Sequence, residues 1–136
     1  CMNNLIRKWI PETERFDIIA HFDKIKMHNQ KRYFTEEETW YKKLVDHCVE
    51  LIKRKGLIVE INTRGIYKGR CPDLYPSDYA LNQISKLGIP MIISTDCHKS
   101  EELALGYEDA LKKLKDFNVK YLMYLKDKKW EEFSIQ

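Results

Sequence analysis

The sequence of 136 residues predicts an α/β domain with the element order β-α-β-α-β-α-β. Short apolar runs alternate with segments whose apolar residues recur at helical spacing, which is typical of parallel strands joined by crossover helices. No GxGxxG or P-loop motif follows any of these runs, which argues against a nucleotide-binding sheet. Three runs end in residues that can bind a metal or a phosphate, and this favours a slice of a barrel over an open sheet.

The first half of the chain contains two predicted strands and one long helix. Residues 17–22 have the composition of a buried strand. A helix is predicted over 35–55, because Thr35 and Glu38 have the spacing of a capping box and an apolar stripe follows them. Residues 57–62 are the second apolar run. The two strands are therefore joined by a single crossover helix.

A long connection separates the second strand from the next helix. Residues 63–76 contain two glycines and two prolines, and a βα connection of this length is often functional. Ser77 is a good N-cap for a helix over 77–87, and residues 90–95 form the third predicted strand. The sequence thus predicts a functional loop between two regular elements.

The last part of the chain repeats the alternation once more. A helix is predicted over 101–117 and a fourth strand over 119–125, and residues 126–136 are expected to be a polar tail. Residues 1–16 are interpreted as the end of a preceding helix and a linker. The whole chain is expected to form part of one domain.

Composition and charge narrow the classes of function. The net charge is only +3, and Lys and Arg are mixed with Glu, so a nucleic-acid surface is not expected. None of the four cysteines forms a CxxC pair, which argues against a zinc ribbon and favours free thiols in a reducing cytoplasm. No stretch has the length of a membrane span, and no signal peptide is visible.

Metal-binding candidates lie at the ends of the first and third strands. Asp96 and His98 alternate along the chain, so their side chains share a face and offer a carboxylate and an imidazole to Zn²⁺, Mn²⁺ or Fe. The alternative is a helix-capping Asp beside a solvated His. His21 ends the first strand, and Asp23 is placed to orient His21 or to bind metal. The alternative for His21 is a satisfied core histidine.

Charged residues also mark the second strand and the loop after it. Glu60 interrupts an apolar run, and a buried carboxylate needs a cation or several donors. Arg64 and Lys68 lie in the following loop, where Arg can hold a phosphate through two parallel hydrogen bonds and Lys adds a point charge. The alternatives are a salt bridge from Glu60 to Arg64 and an ordinary basic loop.

Together these segments resemble the polymerase and histidinol phosphatase (PHP) superfamily, specifically the C-terminal half of its histidinol-phosphatase branch. The resemblance covers about residues 16–120 and rests on four stretches of sequence. They are Asp17-Ile-Ile-Ala-His-Phe-Asp23, Glu60-Ile-Asn-Thr-Arg-Gly-Ile-Tyr-Lys68, Tyr75-Pro-Ser77, and Gly88-Ile-Pro90 leading into Ser94-Thr-Asp-Cys-His-Lys99.

The resemblance implies a distorted (β/α)7 TIM-like barrel that binds two or three metal ions and hydrolyses phosphoesters. It implies residues in three roles: metal ligands, of which two are also catalytic; residues that line the site without binding metal directly; and residues that hold the substrate phosphate. The ligands are His21, Asp96 and His98, the catalytic pair is Asp96 and His98, the lining residues are Glu60 and Asn62, and the phosphate-binding residues are Arg64 and Lys68.

The chain departs from the family pattern in one respect, because it contains no His-x-His. We therefore expect a part of a phosphatase acting on L-histidinol phosphate in histidine biosynthesis, with the N-terminal half of the barrel as its missing partner and little turnover alone. Two alternatives remain: another PHP phosphoesterase acting on a nucleic-acid 3′ end or a small phosphoester, and a non-catalytic fragment or partner domain.

Overall fold

A parallel sheet forms the centre of the fold. The computed structural model describes residues 15–27, 29 and 32–136, so most of the segment predicted as helix end and linker lies outside the described residues, as does His28. The sheet has the order β1-β2-β3, with strands at Ile18–Ile19, Ile58–Asn62 and Met91–Ser94. All pairs are parallel, so the carboxyl ends of the three strands meet at one edge.

Among the described residues, four α-helices and two short 3-10 helices connect or flank the strands. The α-helices are α1 (Thr39–Lys55), α2 (Arg64–Tyr67), α3 (Asp78–Lys86) and α4 (Tyr107–Asp116), and the 3-10 helices are Lys24–Lys26 and Ser100–Glu102. No helix among the described residues has the length and apolar character needed to cross a bilayer.

One face of the sheet packs against the helices. Alternate residues of β2 and β3 point into a continuous apolar core, and they are Val59, Ile61, Met91 and Ile93. The helices contribute their own apolar stripes, whose most buried members are Tyr41, Val49, Ile52, Leu81, Ile84 and Leu114. Burial of each such side chain is worth about 1.5–3 kcal/mol, which holds the strands and therefore their ends in place.

The other face of the sheet borders a hollow of about 570 Å³. Glu60 lies opposite Ile92 in the parallel register, so their side chains share this face. The hollow is lined by Ile18, Ala20, Glu60, Ile92, Ile93, Ser94, Thr95, Leu103 and Tyr107. It is mostly apolar, and Glu60 brings a carboxylate into it.

The prediction for the C-terminal part was wrong in two ways. The predicted fourth parallel strand is β4 (Tyr121–Lys126), which contacts β3 but pairs antiparallel with β5 (Lys129–Ser134) in a separate sheet. Residues 126–136 are therefore not a polar tail. Asp127 and Lys128 both have positive φ, of 48° and 64°, which is the geometry of a tight two-residue hairpin turn.

Two predicted helices begin later than the sequence indicated. The helix predicted over 35–55 starts at Thr39, because residues 35–38 form a turn in which Glu38 accepts the Thr35 N–H at 2.9 Å. The helix predicted over 101–117 starts at Tyr107, because Gly106 has a left-handed φ of 74° that a continuous helix does not allow. The loop over 63–76 contains the single helical turn α2.

Gly106 also permits a close approach to the end of β2. A Cβ there would lie 3.0 Å from the Cβ of Thr63, whose hydroxyl donates to the Leu105 carbonyl at 2.8 Å. Gly88 has a similar φ of 59° but nothing within 4 Å of a Cβ, so it is a matched control.

We expect Gly88→Ala to lower the free energy of unfolding by about 1–2 kcal/mol, the cost of a left-handed alanine. Gly106→Ala is expected to cost about 1–3 kcal/mol more, since it also forces Thr63 to move. Urea-induced unfolding of both variants measures the difference. Equal losses would show that the contact with Thr63 does not constrain the loop.

Candidate functional site

His21 joins the ends of the first two strands. It follows β1 with a positive φ of 53°, and its backbone N–H donates to Glu60 Oε2 at 3.1 Å. Its ring points the same way, since Nδ1 lies 3.5 Å from Glu60 Oε2 and Nε2 lies 3.9 Å from Asp96 Oδ2. The structure therefore brings His21, Glu60 and Asp96 together from three different strand ends.

Asp96 is held in a left-handed backbone conformation at the end of β3. Its φ is 48°, a region that Asp and His tolerate better than most residues but that still costs free energy. The conformation turns the carboxylate toward both neighbouring strands, with Oδ2 3.9 Å from His21 Nε2 and 3.8 Å from Arg64 Nε. Two left-handed residues, His21 and Asp96, thus face each other at this edge.

Arg64 is placed by the end of β2. The Asn62 side-chain carbonyl accepts the Arg64 N–H at 2.9 Å and so caps the turn α2. The guanidinium then reaches β3, where Nη1 donates to the Asp96 carbonyl and lies 2.6 Å from His98 Nδ1. His98 Nδ1 also lies 2.9 Å from the Asp96 carbonyl oxygen, so the guanidinium, the imidazole and this carbonyl meet at one point.

Glu102 is a site residue that sequence reasoning missed. Its carboxylate accepts hydrogen bonds from the Lys68 ammonium, from the His98 N–H at 3.1 Å and from Arg64 Nη1 at 3.4 Å. It also lies 3.4 Å from the Tyr67 hydroxyl, which donates its proton to the Thr95 carbonyl at 2.8 Å. The residue is only 5% exposed. The sequence contained two indications of this role. Arg64 and Lys68 are spaced i,i+4, so two neighbouring cations require a negative partner, and Glu102 follows His98 by four residues.

The electrostatic environment strongly favours the ionised form of Glu102. The hydrogen bond from Lys68, followed by that from the His98 N–H, lowers the pKa of the Glu102 carboxyl to about 2. Burial opposes this shift without cancelling it, and the charge of Arg64 adds to it. Glu102 is therefore ionised at neutral pH.

Asp23 lies apart from the other predicted site residues. Its Oδ2 accepts the Ser77 N–H at 2.6 Å and the Tyr41 hydroxyl at 3.3 Å, and it lies 3.3 Å from the Lys26 ammonium. Burial raises the pKa of the Asp23 carboxyl, and Lys26 acts in the opposite direction. Among the described residues no hydrogen bond or ion pair joins the Asp23 and His21 side chains, and the bond from the Ser77 N–H holds Asp23 at the start of α3.

Two side chains of the described residues, His21 and Asp96, are placed close enough together to bind one metal ion. Zn²⁺ binds imidazole nitrogen and carboxylate oxygen at about 2.0–2.2 Å, so the 3.9 Å between His21 Nε2 and Asp96 Oδ2 is within the span of one ion. No group of three or more His, Cys, Asp or Glu side chains is placed to hold a metal in the described part of the chain. A ligand role for His98 stays a prediction, because its Nδ1 already lies 2.6 Å from Arg64 Nη1 and 2.9 Å from the Asp96 carbonyl oxygen.

Two buried nitrogen atoms at this edge lack hydrogen-bond partners within the described chain. They are His21 Nδ1 and Asn62 Nδ2. Buried polar groups are usually satisfied, and exceptions commonly mark functional sites. The strand ends therefore combine unsatisfied polar atoms, two cations and three carboxylates, which is a polar site at the rim of the apolar hollow.

Comparison with known proteins finds histidinol-phosphatases. The chain is 26% identical over 115 residues to the probable histidinol-phosphatase of Thermotoga maritima, covering 84% of this chain and 46% of the relative. It is 29% identical over 119 residues to that of Clostridium acetobutylicum, covering 83% and 44%. It is 29% identical over 70 residues to the histidinol-phosphatase of Bacillus subtilis, covering 52% and 26%.

These similarities have a limited extent. The chain spans less than half the length of each of these relatives. It matches no protein-family model. What the comparisons establish is a relationship to histidinol-phosphatases over most of this chain.

The buried pair of Asp23 and Lys26 allows a test of stability. Their side chains are 3% and 2% exposed, so Asp23→Asn leaves a buried ammonium without its carboxylate. We expect this variant to lose about 3–5 kcal/mol of unfolding free energy, and a second change, Lys26→Met, to restore part of the loss. Chemical denaturation at pH 7 measures both. A double variant less stable than Asp23→Asn would contradict the expected role of the pair.

The lowered pKa of Glu102 predicts a pH dependence of stability. The ordinary pKa is 4.5 and the folded value is about 2, so ionised Glu102 stabilises the fold fully above pH 4.5 and loses this effect as the pH falls toward 2. The stability advantage of wild type over Glu102→Gln should shrink across that window. Urea unfolding at several pH values measures it, and an advantage that grows on acidification would contradict the assignment.

Proposed function

We propose that this chain, a relative of the histidinol-phosphatases, takes part in metal-dependent hydrolysis of a phosphomonoester. The proposed substrate is L-histidinol phosphate and the proposed process is histidine biosynthesis, as the names of the relatives suggest. The observation that carries the proposal is the meeting of His21, Asp96 and Arg64 at the carboxyl ends of three parallel strands. Parallel α/β proteins carry their reacting groups at this edge.

The proposed phosphate-binding residues are Arg64 and Lys68. All the hydrogen bonds of the Arg64 side chain to described residues use Nη1, so Nη2 is available to an oxyanion. The Lys68 side chain is 32% exposed and uses one of its three protons on Glu102. A guanidinium and an ammonium on one helical turn can neutralise charge on a phosphoryl group.

The proposed metal site uses His21, Asp96 and His98, with Zn, Mn or Fe as candidate ions. A bound metal would lower the pKa of a water ligand toward 7 and polarise the phosphoryl oxygen. Glu60 contributes by fixing the His21 backbone and by lying against its Nδ1. Asp96 and His98 are the proposed catalytic residues, and both lie within reach of the Arg64 guanidinium.

The proposal includes a partner for the open face of the sheet. We assign the other metal ligands to the N-terminal half of a distorted (β/α)7 barrel, of which this chain would be the C-terminal part. Two facts support this: the relatives are more than twice as long as the segment they share with this chain, and a hollow of about 570 Å³ borders the sheet beside Glu60. The proposed location is the cytoplasm, consistent with free thiols at Cys48, Cys71 and Cys97.

A metal titration tests the proposed ligands. We expect His21→Ala to weaken Zn²⁺ or Mn²⁺ binding at least tenfold in isothermal titration calorimetry, an effect of the size seen when a metal site loses a supporting group. His47 is exposed on α1, so His47→Ala is the matched control and should bind metal as wild type does. Equal weakening in both variants, or in neither, would exclude His21 as a ligand.

A phosphate-release assay tests the substrate. L-histidinol phosphate and a single-stranded DNA oligonucleotide are offered to the chain with Mn²⁺. The proposal expects slow release of inorganic phosphate from the first and no release of nucleoside monophosphates from the second, which a denaturing gel measures as unchanged oligonucleotide length. Turnover of the DNA instead would favour an exonuclease-like phosphoesterase. Rapid turnover of histidinol phosphate by this chain alone would contradict the part of the proposal that assigns ligands to another half of the barrel.

A further inference from the structure

Glu102 is the point at which the two cationic side chains of the site meet. It lies in the short helix after β3, whereas Arg64 begins α2 after β2 and Lys68 directly follows that turn. Its two carboxylate oxygens have different partners, since Oε1 accepts from Lys68 and Oε2 accepts from Arg64 and the His98 N–H. One side chain therefore fixes the spacing between a guanidinium and an ammonium.

The carboxylate is anchored independently of the two cations. The His98 N–H that donates to Glu102 Oε2 belongs to the backbone, so its position does not depend on a side-chain rotamer. Glu102 is also nearly fully buried. An incoming anion that displaced Glu102 from Arg64 and Lys68 would leave a buried carboxylate with only part of its hydrogen bonds, which is costly.

The cations keep donors for a ligand while Glu102 stays in place. Arg64 uses Nη1 for Glu102 and has Nη2 left within the described chain, and Lys68 is a third exposed. Resting on the proposed function, we infer that Glu102 is a positioning residue of the phosphate site, which holds Arg64 and Lys68 at the spacing that a phosphoryl group requires. A carboxylate behind an arginine limits its rotamers, and binding then costs less side-chain entropy.

The alternative role for Glu102 is competition with phosphate for Arg64 and Lys68. Arg64, Lys68, Glu102 and Asp96 sum to no net charge, so a carboxylate in the position of the substrate would simply occupy the cations. The two roles predict opposite signs. A positioning residue makes phosphate bind more tightly, whereas a competitor makes it bind more weakly, so removal of the Glu102 charge separates them.

The first measurement follows Arg64 directly, without any ligand. Wild type is expected to show a resolved Arg64 Nε–Hε signal in a ¹H–¹⁵N NMR spectrum, assigned by its loss in Arg64→Lys. Glu102→Gln should broaden or abolish that signal, because the guanidinium keeps its contacts with the Asp96 carbonyl and His98 but loses the charge-assisted bond to Glu102. Glu101→Gln is the matched control, since Glu101 is an exposed neighbour whose side chain bonds only Ser100 among the described residues. A signal that persists in Glu102→Gln overturns the inference.

The second measurement is the affinity for inorganic phosphate, by ³¹P NMR titration at a temperature where each variant is shown to be folded. We expect Glu102→Gln to raise the Kd about tenfold, the size of one charge-assisted hydrogen bond, and Glu101→Gln to leave it within about twofold. An equal or lower Kd in Glu102→Gln overturns the inference, and a lower one identifies Glu102 as a competitor.

The two measurements distinguish failure of the proposed function from failure of the positioning role of Glu102. Absence of phosphate binding by wild type refutes the anion site, and loss of the Arg64 signal in Glu102→Gln would still support the positioning of that side chain. If Glu102→Gln does not fold, Glu102→Asp keeps the charge and withdraws it by one methylene. The same loss of the Arg64 signal and the same direction of change in Kd are expected, and wild-type values in Glu102→Asp overturn the inference.

Discussion

The burial of β2 is the constraint on which the site depends. All five of its residues are buried, yet two of them carry polar side chains, Glu60 and Asn62. A buried carboxylate or carboxamide must find hydrogen-bond donors, and at the end of a central parallel strand the nearest ones belong to the flanking loops. Glu60 accepts a hydrogen bond from the His21 N–H, and the Asn62 side-chain oxygen accepts one from the Arg64 N–H. These two hydrogen bonds hold both loops at the same edge of the sheet.

From this edge a chain of charge contacts extends to β3. Arg64 binds the Asp96 carbonyl and Glu102, and Glu102 in turn binds Lys68 and the His98 backbone. Glu102 is 34 or more residues away in sequence from both Arg64 and Lys68. No single segment of the sequence therefore forms this part of the site. Such a site is as rigid as the strands that carry it, because the apolar core on the helical face fixes their register.

The two faces of the sheet differ in a way that bears on function. The helical face is filled by aliphatic side chains, whereas the other face borders a hollow with Glu60 at its polar rim. The β4-β5 hairpin contacts β3 without joining the parallel sheet. In a chain that spans less than half the length of related histidinol-phosphatases, helices thus cover one face of the sheet, a hollow borders the other face, and the candidate site lies at the carboxyl ends of the strands.

The sequence alone predicted the parallel alternation, the three strands of the sheet and the polar residues at their ends, because these depend on local periodicity and on the rule that parallel strands meet at their carboxyl ends. It did not predict the hairpin, since a turn through two left-handed non-glycine residues leaves little trace in composition. Nor did it place Asp23, whose neighbours Tyr41 and Ser77 are distant in sequence. The role of Glu102 was decided by tertiary structure. A carboxylate binds the donors that folding brings within hydrogen-bond distance, and the pairing of β2 with β3 brings Arg64 and Lys68 to Glu102.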